Sequence, residues 1–157
     1  MSELTFDQCN KIIEKYHQQG VPVDVLGIAK EMGLKVFAVK DWGQNLSGMI
    51  KLVGDEYHIY VNADHVETRQ RFTIAHEIAH FVLHRPQIGN GIVDDALYRS
   101  GQTNFVEAEA NSFAADILMP RKAVDVEWRN PDSTLQSMAS DFRVSEQAMA
   151  IRLGVPN

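Results

Sequence analysis

Cysteine is nearly absent. Cys9 stands alone among 157 residues, so no intrachain disulfide can form and the fold must rest on packing. No apolar run approaches the roughly 20 residues that cross a bilayer, so a membrane span is not expected. The N-terminus, Met1-Ser2-Glu3-Leu4-Thr5-Phe6-Asp7, is acidic where a secretory signal would be basic and then apolar. A surplus of positive charge is missing as well: 15 Lys and Arg stand against 21 Asp and Glu, a net charge of −6. Proteins that bind duplexes draw most of their affinity from neutralising phosphates, so direct nucleic-acid binding is not expected. Internal repeats, low-complexity tracts and linkers are also lacking. What remains is an ordinary globular composition, 45% hydrophobic and 23% charged, on a chain long enough to bury about two thirds of its unfolded surface. The reading is one cytoplasmic domain over residues 1–157.

The pattern along the chain predicts an α+β fold, a small antiparallel sheet packed on a helical bundle. Helices are expected over residues 5–19, ended by Gly20, and over 23–32, closed by Gly33. Strands are expected at 35–39, 47–53 and 57–62 in a sheet-containing part at about 34–62. The last two strands flank Gly54-Asp55-Glu56 and read as a hairpin. An apolar helix spans about 68–84. A loop covers 85–104, long enough to suggest a lid. A further helix runs over about 105–119 to Pro120, and a helical cap covers about 122–153 with Ser145 as an N-cap. Cys9 reads as a helix-packing residue, and Trp42 and Trp128 as core or subdomain anchors.

The chemistry lies at His76-Glu77-Ile78-Ala79-His80, an H-E-x-x-H pentad on a helix. A chain of this composition contains roughly 0.014 such pentads by chance. Residues four apart share a helix face about 6 Å apart along the axis, so both imidazoles can reach one ion at about 2.1 Å. Glu77 stands beside them, placed to take a proton from water. At about 100° per residue, Thr73, His76, Glu77, His80 and His84 fall on one strip, while Phe72, Ile74, Ile78, Phe81 and Val82 fill the rest of the circumference.

A catalytic zinc takes three protein ligands and keeps a position open for water. The metzincin extension is excluded, because Leu83 and Pro86 occupy its required positions. His84 lies about 12 Å along the axis from His76, too far to share an ion on a straight helix; it is expected to line the cleft or pack. Glu107 is the better third ligand. It sits in an arc otherwise made of Val106, Ala110, Ala114, Ile117 and Leu118, and a carboxylate facing a core needs a partner. Glu109, towards the polar side with Asp116 and Ser112, reads as solvated but stays an alternative, as do the loop residues Asp94 and Asp95. Asn111, one turn after Glu107, suits a hydrogen bond to a ligand histidine. The His₂Glu set suits zinc; manganese or iron also bind such ligands.

Two stretches together resemble the ImmA/IrrE metallopeptidases: Arg71-Phe72-Thr73-Ile74-Ala75-His76-Glu77-Ile78-Ala79-His80, and Glu107 through Asn111, Phe113 and Ala114 to Leu118-Met119-Pro120. The resemblance covers about 22–153. It implies a gluzincin-like active helix, with His76, His80 and Glu107 as metal ligands and Glu77 as catalytic base. It further implies a cytosolic zinc endopeptidase of the kind found in mobile elements and stress responses. Many such enzymes cleave a helix-turn-helix repressor and thereby derepress genes. The chain stops soon after its helical region, without the C-terminal sensor-like domain of some relatives, so ligand sensing is not expected.

Weaker signals remain. The 57–62 strand is a wall on which an extended peptide could add as a strand, or an ordinary half-buried strand. Tyr98 is a candidate oxyanion donor. Residues 135–153 read like a helix-turn-helix, but Arg152 is the one basic residue of its second helix, a poor phosphate footprint. Two other classes stay in view: a DNA-binding regulator, and a metal-binding partner that sequesters a repressor without cutting it.

Overall fold

The computed structural model of the chain describes residues 3–89, 92–95 and 101–157, and for 92–95 and 101–104 the backbone alone. Helix α1 (Phe6–His17) starts in a capping box: the Thr5 hydroxyl accepts from the Gln8 N–H, and the Gln8 side chain accepts from the Thr5 N–H. It buries Cys9 and Ile13, and burial pushes the Cys9 thiol up, as suits an inert packing residue. Helix α2 (Val25–Glu31) is capped by Asp24, which accepts from the Gly27 N–H at 2.9 Å. The chain leaves α2 through Gly33 at φ +82°, the predicted stop.

Strands β1 (Lys35–Val39), β2 (Leu46–Val53) and β3 (Glu56–Asn62) follow. The predicted hairpin is present: Val53 faces Glu56 across a two-residue turn, with Gly54 at φ +66°. The fold class is α+β, but the sheet departs from the antiparallel expectation. Strand β1 runs parallel to β3, with Lys35 opposite His58 and Val39 opposite Asn62, so the sheet is mixed. The 40–45 connection must therefore pass the end of β3, and a buried side chain holds it there. Asn62 Nδ2 donates to the carbonyls of Gly43 at 2.6 Å and Leu46 at 2.7 Å. A fourth strand, β4 (Ile92–Asp95), pairs antiparallel with β2 inside the stretch read as loop. The order is β1-β3-β2-β4 among the described residues. This overturns the strand-addition reading of 57–62, because β3 has a partner on both sides and no edge to offer.

Helix α3 (Glu67–Leu83) lies across the inner face of the sheet, where Ile50, Ile59 and Val61 meet Ile74 and Ile78. After a single turn, α4 (Arg85–Ile88), helix α5 (Gly101–Leu118) packs along α3, starting four residues before the predicted 105. Ala110 and Ala114 are fully buried in α5. The helical cap comprises α6 (Arg121–Trp128), α7 (Leu135–Phe142) and α8 (Glu146–Leu153). The turn from α7 to α8 runs through Arg143 in the left-handed region and Val144 to the Ser145 N-cap, as the pattern predicts. Neither tryptophan belongs to the buried core: Trp128 is 40% exposed and Trp42 half-buried. No helix among the described residues is long and apolar enough to cross a membrane.

Candidate metal centre

Helix α3 carries its polar strip inward. Thr73, His76, Glu77, His80 and His84 are all buried, and Glu77 and His80 are fully so. The apolar remainder of the helix packs on the sheet and on α5, which explains why a helix rich in ionisable residues is held at the centre of the fold. Arg71 ties it down further. Its guanidinium donates to the carbonyl of Val23 at 3.0 Å and to that of Arg143 at 3.1 Å, joining α3 to the entry of α2 and to the α7–α8 turn.

Helix α5 brings Glu107 to the two histidines. His76 Nε2 lies 3.0 Å from Glu107 Oε1, His80 Nε2 lies 3.1 Å from Glu107 Oε2, and the two Nε2 atoms are 3.1 Å apart. The three side chains converge as a group that could hold a metal ion. A tetrahedral ion with bonds of about 2.1 Å separates its ligand atoms by about 3.4 Å, so the observed spacings need open by only a few tenths of an ångström. The donor chemistry fits as well. Asn111 Oδ1 can only accept, so the 2.8 Å contact fixes the proton of His76 on Nδ1 and turns the lone pair of Nε2 towards Glu107. A lone pair and a carboxylate brought to 3.0 Å in a buried place call for positive charge between them, which a proton or a metal ion can supply. Two imidazoles and a carboxylate suit zinc, and they would hold it through His76 Nε2, His80 Nε2 and Glu107.

Glu77 lies beside this group, against the sheet. One of its carboxylate oxygens, Oε2, is 3.3 Å from where a Cβ on Gly48 of β2 would stand. Gly48 is therefore the residue that lets the strand pass so close to the carboxylate. A cleft of about 750 Å³ opens on the outer side. His76, Glu107 and Asn111 form its floor, Phe72, Thr73 and Arg69 of α3 one side, and Gln147, Ala148 and Ile151 of α8 another. Glu77 and His80 are set behind this floor.

The other candidates separate clearly. His84 does not reach the triad; its ring packs 5.1 Å from that of His80, with Nδ1 3.0 Å from His80 Nδ1. Glu109, read as solvated, has a side chain 45% exposed but meets His84 Nε2 at 2.9 Å. That contact was not readable from the sequence, since it depends on how α5 is registered against α3. Asp94 and Asp95 belong to β4, where the backbone alone is described. Tyr98 lies outside the described residues, as do residues 90, 91, 96, 97, 99 and 100 of the span read as a lid. Arg152, weighed above as a phosphate contact, is committed to the fold. It donates to the Met119 carbonyl at 2.8 and 3.0 Å and to Asp116 Oδ1 at 2.8 Å, bracing the end of α5.

No curated protein matches the chain in sequence. Among solved structures, a Mycobacterium tuberculosis transcriptional regulator has a similar fold, with a TM-score of 0.61 at 15% identity over 95% of this chain and 47% of that one. The chain thus spans about half the length of that regulator. Residues 29–154 match the family of the IrrE N-terminal-like domain, a stretch that contains the His76, His80 and Glu107 cluster, Glu77 and the helical cap. The chain belongs to this peptidase M78 family.

Proposed function

We propose that the chain is a cytoplasmic, zinc-dependent endopeptidase, organised as one domain over residues 1–157, that cuts a helix-turn-helix repressor and so derepresses its genes. Manganese is the alternative ion. The observation that carries the reading is the convergence of His76, His80 and Glu107 at an open cleft that His76 and Glu107 line, with His80 and Glu77 fully buried beside them. A divalent ion held there would polarise a peptide carbonyl and acidify a water molecule. The protein's own part follows from its residues. Asn111 orients His76. Glu77 takes the proton of the attacking water and passes it to the leaving amine. Burial against Gly48 keeps the Glu77 carboxylate in one place, which is what a proton shuttle needs.

The helical cap supports a protein substrate rather than DNA. In a helix-turn-helix reader, the first residues of the second helix meet the bases. Here Ser145, Gln147 and Ala148 face the cleft instead, and Arg152 is engaged inside the fold. The test is to incubate the metal-loaded chain with the repressor encoded beside its gene and to search by mass spectrometry for a new peptide terminus. The wild type should cut at one site. Glu77→Gln should lose about 10²- to 10⁴-fold in rate while keeping its metal. A stable complex without cleavage would replace this reading with sequestration.

A further inference from the structure

The contacts behind His80 form a chain that ends at the protein surface. His80 Nδ1 lies 3.0 Å from His84 Nδ1, and His84 Nε2 lies 2.9 Å from Glu109 Oε1. Only one arrangement of protons satisfies both contacts with neutral rings. An ionised carboxylate only accepts, so His84 must carry its proton on Nε2. The remaining nitrogen of His84 is then an acceptor, and His80 must donate from Nδ1. The lone pair of His80 is thereby placed on Nε2, the atom 3.1 Å from both His76 Nε2 and Glu107 Oε2.

We propose that His84 and Glu109 are positioning residues that hold His80 in its metal-binding tautomer and set the affinity of the centre. The inference rests on the metal reading of His76, His80 and Glu107. It gives the two ligand histidines separate supports: Asn111 for His76, and the His84–Glu109 pair for His80. The arrangement is repeated down the helix pair. Glu107 of α5 meets His76 and His80 of α3, and two residues further along α5 Glu109 meets His84, the C-cap of α3. The negative charge of Glu109 also reaches His80 through the polarised His84 ring, making Nε2 the stronger donor. A residue that merely filled space would need neither the 3.0 Å approach nor a carboxylate partner, and its apolar isostere would serve as well.

Zinc affinity measured by competition with a chromophoric chelator tests this. His84→Phe fills the volume without hydrogen bonds and should bind zinc about 10- to 100-fold more weakly than the wild type. Glu109→Ala should lose part of that, and Glu109→Gln, which still accepts from His84, should recover most of the loss. The two changes together should cost no more than His84→Phe alone, because they break one chain. Long-range ¹H–¹⁵N spectra of the metal-free protein supply a second readout. They should place the His80 proton on Nδ1 in the wild type and show mixed tautomers in His84→Phe. Because Glu109 is surface-exposed, its variants keep the test alive if His84→Phe fails to fold. Wild-type affinity in Glu109→Ala and His84→Phe, or a His80 proton on Nε2 in the wild type, overturns the proposal. A wild type that takes up no zinc overturns the metal centre itself, a distinguishable failure.

Discussion

Replacing Gly48 with alanine should disable the protein through the sheet rather than through the ligands. A Cβ at this position would stand 2.6 Å from Thr73 Cγ2, 2.7 Å from the Tyr60 carbonyl oxygen and 3.3 Å from Glu77 Oε2. The first two contacts lie about 0.7–0.8 Å inside ordinary van der Waals separation. The carbonyl belongs to the neighbouring strand and cannot rotate away, so the strands or α3 must shift. Overpacking of this kind costs about 1–3 kcal/mol, which for a chain of this size lowers the melting temperature by about 2–12 °C. The shift also displaces Glu77, and a misplacement of about 1 Å lowers turnover by about 100-fold. None of the three contacts involves His76, His80 or Glu107, so zinc uptake should suffer much less than the rate. Adding Thr73→Ser removes Cγ2 and should restore part of the stability but not the rate, since the contacts with Tyr60 and Glu77 persist. Thermal unfolding, zinc titration and cleavage rate of the two variants make up the assay. A Gly48→Ala protein with wild-type melting and wild-type rate would refute the reasoning.

Three further outcomes are expected. Glu127, desolvated and hydrogen-bonded to Asp141, has its carboxyl raised to about 7, so the folded state holds a proton that the unfolded state releases from about pH 4.5 upwards. Stability should therefore fall as pH rises between these values; Glu127→Gln should flatten that slope and gain about 1–2 kcal/mol at pH 8 in urea titrations, the full shift being discounted for partial solvent access. Zinc at about 100 times its dissociation constant should raise stability by about 2.7 kcal/mol, or about 5–11 °C in melting temperature; a chelator should reverse the gain and Glu107→Ala should abolish it in scanning calorimetry. Ile151, 75% exposed on the cleft wall, should be covered by substrate, so Ile151→Asp should raise KM for the protein substrate about 5- to 30-fold with little change in kcat, as steady-state kinetics would show.

How much of this is legible in the sequence depends on whether the signal is local. Helix α3 is legible because its polar strip and apolar remainder repeat at the helical period, and Glu107 because it interrupts an apolar arc. The gathering of His76, His80 and Glu107 into one group follows from those two arcs. The parallel pairing of β1 with β3 is not legible, because no turn fixes it, and the Asn62 contacts to Gly43 and Leu46 that hold the 40–45 connection join residues far apart in sequence. Strand β4 escapes notice because four residues are too few to show alternation, and its order comes from β2. Arg71 and Arg152 carry no sign in the sequence that their partners are main-chain carbonyls of distant segments. Glu109 reads as solvent-facing because half of it is, and its contact with His84 belongs to the relative placement of two helices.

That relative placement has a consequence for which ion the proposed centre would accept. The span from Glu107 to the imidazoles depends on how closely α5 lies on α3, and Ala110 and Ala114, fully buried on α5, share the face of that helix that carries Glu107 and Asn111. Every methyl group added there would part the helices and widen the ring of donors, and every one removed would tighten it. Discrimination by ionic radius in the proposed centre would then rest in part on two alanines that are not among its ligands. Selectivity between a smaller and a larger divalent cation could drift by changes at positions 110 and 114 while His76, His80 and Glu107 stay as they are.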